Sequence, residues 1–334
     1  MTARDRLRRS WQRGRDRWLL AGAALALAMT FFDLGVTMKR SLYEHVVVVD
    51  VTQSMNVTDE RLDGKSVSRL DFAKHALRQS LLQLPCGSKV GWAIFTEYRS
   101  FLLFAPIEVC ANLGELRSTL ARMDAGMAWS GNSEIAKGVH SAIGIARQLP
   151  DRPSLVFITD GQEAPPLNPH YRPAFDDKPG EVPGLIVGVG DLRASPIPKT
   201  DPQGRPLGFW RADEVMQTDP RSQGRGASIT GETLADDRAR EVAPSLGATP
   251  GSEHLSALRE PYLRLLAGEQ GLAFLRLESP QGLAAAMTSD ALARPVPVRT
   301  DARFALAGLA LCLLLARHAG PLSHRLRAAL LRRP

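Results

Sequence analysis

Three short segments of the chain are apolar throughout, without the alternation that marks a half-exposed strand. They are "VVVV" at 46–49, "SLVFIT" at 154–159 and "GLIVGVG" at 184–190. Uniformly apolar segments are typical of central strands in a parallel sheet, because such strands are buried on both faces. Segments with apolar residues at helical spacing alternate with them, at 68–84, 112–123 and 132–149. This alternation predicts an α/β fold with a doubly wound, mostly parallel sheet.

Further segments complete the predicted sheet. Ser68 is a suitable N-cap for the first long helix, and a last helix at 258–270 precedes a strand at 272–277. The segments 89–95 and 99–105 are separated by three residues, which predicts an antiparallel hairpin and hence one antiparallel edge strand.

Two long segments interrupt this pattern, Gly161–Pro183 and Asp191–Glu253. Both are rich in Pro, and in the second only "ETLADDRAREV" at 232–242 resembles a helix. Loops of this length are usually functional or disordered, so we expect the two segments to bear on function.

Charge is concentrated at the two ends of the chain. Residues 1–17 contribute +5 and residues 317–334 contribute +5 to a formal net charge of +7, which leaves −3 for the residues between them. A nucleic-acid-binding domain needs a basic face, and the mildly acidic middle excludes that class of function. The basic ends therefore require another explanation.

Each basic end borders an apolar run. The first, Trp18–Val36, has 19 residues, nearly enough for a helix to cross a bilayer core of about 30 Å. We predict a transmembrane helix there; the alternative is a cleaved signal peptide. The second run, Phe304–Ala316, has 13 residues between two arginines, and we predict a short second transmembrane helix there, with a buried core helix as the alternative.

The positions of the arginines predict the orientation of these helices. By the positive-inside rule, the basic segments 1–17 and 317–334 lie in the cytoplasm. The intervening residues then lie across the membrane, which in a bacterium is the periplasm. We therefore predict an inner-membrane protein whose soluble domain faces the periplasm.

The soluble part contains two of the three cysteines, Cys86 and Cys110. Outside the cytoplasm this pair can be oxidised, and the alternative is two unrelated thiols. Cys86 precedes the strand from Lys89 and Cys110 follows the strand ending near Ala105, so the predicted hairpin places both at the same end of neighbouring strands. This placement favours a disulfide.

Oxygen-bearing side chains follow two of the apolar strands. Asp50 ends one strand and Asp160 ends another, Thr52 and Ser54 follow Asp50, and Ser133 opens the helical segment "SEIAKG". In an open α/β sheet, ligands bind at the carboxyl ends of the strands. Two carboxylates and three hydroxyls suit a hard divalent cation, Mg²⁺ first, with Mn²⁺ and Ca²⁺ as alternatives.

These motifs resemble the metal-ion-dependent adhesion site of the von Willebrand factor A domain family. "DVTQS" at 50–54 resembles the family's Asp-x-Ser-x-Ser, "SGNSEI" aligns with Gly-Gly-Thr-x-Ile, and "ITDG" with Thr-Asp-Gly. The chain departs at Thr52, where Ser is usual, and at Ser133, where Thr is usual; each change keeps the hydroxyl. The resemblance implies that Thr52 and Ser54 bind the ion directly, Ser133 directly or through water, and the carboxylates mostly through water. One position then stays open for an acidic group of a partner.

The resemblance extends over about residues 44–290 and is to membrane-anchored bacterial members, the aerotolerance type and proteins of methanol-dehydrogenase maturation clusters. It implies a periplasmic protein client or a sister A-domain protein as partner, and a functional link to a MoxR-type AAA+ ATPase. In contrast with the usual pattern, the Pro-rich Gly161–Pro183 segment replaces a helix that most members have.

Enzymatic alternatives find little support in the residues. Haloacid-dehalogenase-type phosphatases need a second Asp two residues after the first, and that position is Thr52. "GVGDLRA" at 188–194 lacks the third glycine of a dinucleotide fingerprint. We therefore expect a non-enzymatic, metal-dependent protein-binding domain that assists assembly or maturation of a periplasmic enzyme or envelope complex, with methanol dehydrogenase metal insertion as one case. The alternative is a structural adhesion or scaffold protein with a non-functional metal site.

Overall fold

A computed structural model describes residues 17–32, 35–168, 171–201, 204–217, 232–236, 246 and 251–330. The chain divides into two compact units, residues 41–294 and residues 1–40 with 295–334. Most of the predicted cytoplasmic segment 1–17 lies outside the described residues, as do the last four residues of the tail.

Strands and helices alternate along most of the chain. The strands are β1 Gly35–Leu42, β2 Glu44–Asp50, β3 Glu60–Leu62, β4 Lys65–Val67, β5 Lys89–Thr96, β6 Arg99–Glu108, β7 Ser154–Thr159, β8 Tyr171–Phe175, β9 Gly184–Gly188, β10 Ser195–Pro196, β11 Pro198–Thr200, β12 Pro206–Phe209, β13 Glu232–Asp236, β14 Leu255–Ser256, β15 Ala273–Arg276 and β16 Arg294–Asp301. The helices are α1 at 17–29, α2 Arg69–Leu81, α3 Leu113–Arg122, α4 Ile135–Gln148, α5 Glu260–Gln270, α6 Pro280–Met287 and α7 Arg303–Leu330.

A six-stranded sheet forms the centre of the unit 41–294. Its order is β15-β9-β7-β2-β5-β6, and all neighbouring pairs are parallel except β5 with β6. The predicted mostly parallel α/β sheet with one antiparallel edge strand is therefore confirmed. In this order β2 lies in the middle, with β7 on one side and β5 on the other.

The four valines of β2 show how the sheet is buried. Val46 and Val48 pack into the core beneath α4 and α5, whereas Val47 and Val49 pack into the core beneath α2, α3 and α6. Successive side chains of a strand point to opposite faces, so a strand covered by helices on both sides needs an apolar residue at every position. The uniform apolar pattern thus has its cause in two helical layers.

The first long helix begins as its sequence predicts. Ser68 is the N-cap, and its Oγ accepts a hydrogen bond from the backbone N–H of Asp71 at 3.0 Å. This satisfies one of the free amide donors of the first turn. Helix α2 thereby begins at Arg69, next to the loop that follows β2.

Residues in the two long segments and directly after the second one form small two-stranded sheets. β8 pairs with β13, β10 with β14 and β11 with β12, all antiparallel. The prediction of a helix at 232–242 is wrong for 232–236, which form β13, and 237–242 lie outside the described residues. Pairing with β8 has overridden the local helical propensity of this segment. We refer to residues 191–253 as the insert.

A disulfide joins Cys86 and Cys110, with the Cα atoms 5.3 Å apart. The bond connects the segment before β5 with the segment after β6, so the predicted pairing is confirmed. Cys312 is free and exposed.

The other unit contains α1, α7 and most of the pair β1 and β16. α1 is shorter than the apolar run Trp18–Val36. The backbone N–H and the hydroxyl of Thr30 both donate to the Leu27 carbonyl and end the helix, and Gly35 and Val36 belong to β1. The run Phe304–Ala316 lies within the longer α7. Among the residues that the structure describes, no helix has both the length and the apolar composition needed to cross a membrane. The two transmembrane helices stay predictions.

Candidate metal centre

The two carboxylates singled out in the sequence end adjacent strands. Asp50 is the last residue of β2 and Asp160 directly follows β7, and these strands pair in parallel. Both residues are completely buried. The parallel topology therefore brings together two acidic residues that are 110 positions apart in sequence.

Three protein donors orient the Asp50 carboxylate. Its Oδ1 accepts from the Thr52 backbone N–H at 2.9 Å and the Thr52 hydroxyl at 2.7 Å, and its Oδ2 accepts from the Thr159 hydroxyl at 2.7 Å. Burial, and after it the negative charge of Asp160, raises the pKa of Asp50 to about 7. Two buried carboxylates so arranged favour a cation between or beside them.

The hydroxyls connect the two carboxylates. Thr52 Oγ1 lies 3.4 Å from Ser54 Oγ, and Ser54 Oγ donates to Asp160 Oδ1 at 3.1 Å. A short 3₁₀ helix, Gln53–Asn56, begins directly after Thr52 and turns these side chains toward each other. Four of the five predicted site residues thus form one continuous set of hydrogen-bonded oxygens.

Ser133, the fifth predicted residue, lies just before α4. Its backbone exchanges two hydrogen bonds with Ala164, at 2.7 and 2.8 Å, which fixes its position. Within the described part of the chain, its hydroxyl oxygen is buried and lacks a hydrogen-bond partner. An orphaned buried polar group costs about 1–3 kcal/mol, so such a group indicates a ligand or a water.

Thr52, Ser54 and Ser133 line one cavity of about 220 Å³. We call these three residues the hydroxyl set. The donors are all hard oxygens, and one of them is unpartnered, so the residues present fit a hard divalent cation such as Mg²⁺. The fit depends on Ser133 in particular, because its oxygen has no other described partner.

Arg69 is a part of the site that the sequence analysis missed. Its side chain is fully buried and its Nη1 donates to Asp160 Oδ2 at 2.6 Å. A charged residue at the first position of an amphipathic helix is ordinarily solvent-exposed. No local pattern marks Arg69 as buried, since two of its partners, Asp160 and Ser256, come from distant segments of the chain.

Both long segments contribute walls to the cavity. Residues 162–165 line one part, and Ile197, Trp210, Glu214, Val215 and Met216 of the insert line another. The Trp210 indole N–H donates to the side-chain oxygen of Gln53, which lies between Thr52 and Ser54. The insert therefore contacts the loop that carries the hydroxyl set.

Besides Asp50 and Asp160, the buried acid Glu163 lies at the site, where it lines the cavity. Its Oε1 accepts from the Tyr262 hydroxyl at 2.5 Å and from the Ala136 backbone N–H at 3.1 Å. Burial raises the pKa of Glu163 to about 8, so its carboxyl group is mostly neutral at pH 7. Glu163 therefore contributes little negative charge to the cavity at pH 7.

Part of the chain is similar to a known domain family. Residues 45–162 match the von Willebrand factor type A domain family. This range contains all five predicted site residues and confirms the resemblance found in the motifs. Among curated proteins, no match was found.

The solved structures to which this chain shows similarity include three bacterial proteins. An aerotolerance-related membrane protein from Bacteroides fragilis is 16% identical, with 75% of this chain and 98% of that chain covered and a TM-score of 0.47. BatB from Bacteroides thetaiotaomicron is 14% identical, with 74% and 95% covered and a TM-score of 0.44. A membrane-spanning protein from Vibrio fischeri is 16% identical, with 72% and 94% covered and a TM-score of 0.27.

Proposed function

We propose that this chain, whose residues 45–162 match the von Willebrand factor type A domain family, binds another protein through a divalent cation at the carboxyl end of its sheet. The observation that carries the proposal is the unpartnered, buried Ser133 oxygen in the same cavity as Thr52 and Ser54, next to two buried carboxylates. A cation at this place would satisfy the orphaned oxygen and balance the carboxylate charge.

The residues of the chain have distinct roles in this proposal. Thr52, Ser54 and Ser133 would hold the ion, Mg²⁺ first and Mn²⁺ or Ca²⁺ as alternatives. Asp50 orients Thr52 through its two hydrogen bonds, and Asp160 orients Ser54 through one. When bound, the ion supplies a positive centre that attracts an acidic side chain of a partner. The cavity walls exclude water around such a contact, which strengthens it.

The proposed cellular location rests on the apolar and basic segments near both ends of the sequence and on the disulfide. Apolar runs beside arginine-rich ends support an inner-membrane anchor, and the Cys86–Cys110 bond supports an oxidising compartment such as the periplasm. The client is then a periplasmic protein or a sister A-domain protein, whose assembly or maturation the chain assists. Methanol dehydrogenase metal insertion is one such process, and a MoxR-type AAA+ ATPase is the expected functional associate.

Ion binding can be tested by thermal unfolding of the full-length protein. Mg²⁺ at 100 times its dissociation constant should stabilise the native state by about 2.7 kcal/mol, because the ion binds the folded form alone. Asp50→Ala should abolish the shift, whereas Asp71→Ala, at an exposed position of α2, should retain it. Equal shifts for wild type and Asp50→Ala would contradict the proposed site.

One observation favours the alternative, a scaffold with a non-functional metal site. The Arg69 guanidinium is paired with Asp160 at 2.6 Å and supplies a positive charge within the site. If Arg69 replaced the ion, Mg²⁺, Mn²⁺ and Ca²⁺ would each leave the melting temperature unchanged. The thermal experiment therefore distinguishes the two candidates.

A further inference from the structure

Every N–H group of the Arg69 side chain has an acceptor. Nε and Nη2 donate to the Asp59 carboxylate, at 3.0 and 2.6 Å. Nη1 donates to Asp160 Oδ2 and to Ser256 Oγ, both at 2.6 Å, and Nη2 also donates to the Ser256 carbonyl at 3.1 Å. The five N–H donors of one planar guanidinium thus connect three places in the chain. These are Asp59 in the loop after β2, Asp160 directly after β7, and Ser256 in β14.

The consequence for Asp160 is that its two oxygens have different surroundings. Oδ2 accepts from Arg69 at 2.6 Å and from the Ser256 hydroxyl at 3.0 Å. Oδ1 accepts from Ser54 Oγ at 3.1 Å and from the Gln162 backbone N–H at 3.0 Å. Only Oδ1 therefore lies on the side of the hydroxyl set.

The backbone leaves room for the guanidinium at Gly190. A Cβ atom built there would lie 2.5 Å from Arg69 Nε, and the φ angle of Gly190 is +119°. Most L-residues avoid this φ, and any side chain would displace Arg69. The close approach of the Gly190 backbone indicates a position built to hold this arginine.

We propose that Arg69 is a positioning residue that determines which cation the site prefers. It holds Asp160 Oδ2 away from the hydroxyl set, so that this carboxylate cannot bind an ion there through both of its oxygens. Ca²⁺ commonly takes both oxygens of a carboxylate and six to eight ligands, whereas Mg²⁺ requires six ligands and binds carboxylates through single oxygens. Arg69 thereby favours Mg²⁺ over Ca²⁺. This inference rests on the proposed function, because it requires that an ion binds.

The positive charge of Arg69 also affects the affinity for any cation, and this effect cancels when the affinities for Mg²⁺ and Ca²⁺ are compared as a ratio. Arg69 repels any cation nearby, but Mg²⁺ and Ca²⁺ carry the same charge, so repulsion weakens both to a similar degree. The ratio of their two dissociation constants therefore reports the geometry of Asp160 rather than the charge of Arg69.

The experiment is isothermal titration calorimetry of the full-length protein with MgCl₂ and, separately, CaCl₂. Arg69→Lys keeps the charge but loses the planar fork that bridges Asp59 and Asp160. We expect the preference for Mg²⁺ over Ca²⁺ to fall about tenfold in this variant, the lower end of what loss of an outer-shell partner costs a metal site. Ser256→Ala, which removes one hydroxyl from Asp160 Oδ2, should shift the ratio in the same direction by a smaller factor. Arg172→Lys, at another buried arginine that pairs with Glu269 at 2.8 Å, should leave the ratio unchanged.

The outcomes separate this inference from the proposed function. Binding of neither ion by wild type would refute the proposed function and this inference together. Binding by wild type, with the same ratio in Arg69→Lys, would refute the positioning role alone. If Arg69→Lys does not unfold cooperatively, Ser256→Ala decides in its place, and an unchanged ratio there refutes the role equally.

Discussion

His45, at the opposite end of β2 from Asp50, is a buried residue whose protonation opposes folding. Its ring is fully buried and Nδ1 lies 2.6 Å from Ser154 Oγ. Burial lowers the pKa of His45 to about 4, with a smaller contribution from the nearby Arg294 charge. In the unfolded chain the pKa is about 6.5, so between these values the unfolded state alone binds the proton. The free energy of unfolding therefore falls as the pH drops from 6.5 toward 4.

This linkage predicts that protonation of His45 lowers the free energy of unfolding by about 2 kcal/mol between pH 7 and pH 5. His45→Phe keeps an aromatic ring of similar size but cannot be protonated. In urea unfolding at the two pH values, we expect its free energy of unfolding to fall by about 2 kcal/mol less than that of wild type. His75→Phe, on the partly exposed part of α2, should show the wild-type loss. An identical pH dependence in wild type and His45→Phe would contradict the assignment.

At the residue scale, the sequence predicted the oxygen donors but not the residues that hold them. Asp50, Thr52 and Ser54 are close in sequence, and Asp160 ends a recognisable apolar strand. The partners of Arg69, namely Asp59, Asp160 and Ser256, lie up to 187 positions away from it. No periodicity connects such positions, because tertiary folding alone brings them together.

At the scale of elements, the disulfide connects the segment before β5 with the segment after β6, at the end of this hairpin that lies away from its turn. Cys86 and Cys110 are 24 positions apart, and closing a loop of this length stabilises by about 3 kcal/mol. We expect the double variant Cys86→Ala, Cys110→Ala to lose this amount in urea unfolding. Cys312→Ala, at the free cysteine, should be unchanged. A double variant as stable as wild type would show that the bond adds nothing to the native state.

Elements of the central sheet were predictable because burial on both faces leaves a direct signature in the sequence. The small paired strands of the long segments were not, since short strands such as β10 and β14 have two residues each and no periodicity. β13 shows the physical reason clearly. Its sequence favours a helix, yet Glu232 is buried beside Lys137, whose Nζ lies 3.4 Å from it, and the strand pairs with β8.

This position of β13 restricts how the insert can be probed. Deleting residues 213–250 would remove β13 and with it Glu232, an acidic partner of the buried Lys137, which also pairs with Glu134 at 2.6 Å. Breaking a buried ion pair typically costs about 3–5 kcal/mol. A deletion would therefore disturb folding as well as binding, and single substitutions at the cavity wall are the better test.

At the scale of the whole molecule, the proposed function predicts that the insert and the ion site together select the partner. Met216 is 59% exposed and lines the cavity beside the hydroxyl set, whereas Leu207, on β12, is 58% exposed and is not among the lining residues. An acidic side chain of a partner that reaches the ion must pass this wall. Neighbouring apolar side chains of the partner would then contact Met216 and exclude water.

We therefore predict that crosslinking in intact membranes captures a periplasmic client or a sister A-domain protein, identified by mass spectrometry. Chelation, or Asp160→Ala, should reduce the capture because the ion bridges the two proteins. Met216→Lys should change which partner is captured while leaving the Mg²⁺-induced rise in melting temperature intact, and Leu207→Lys should change neither. If capture persists at full yield both with chelator and in Asp160→Ala, no ion connects the partners, and a scaffold that binds through the insert alone explains the molecule better.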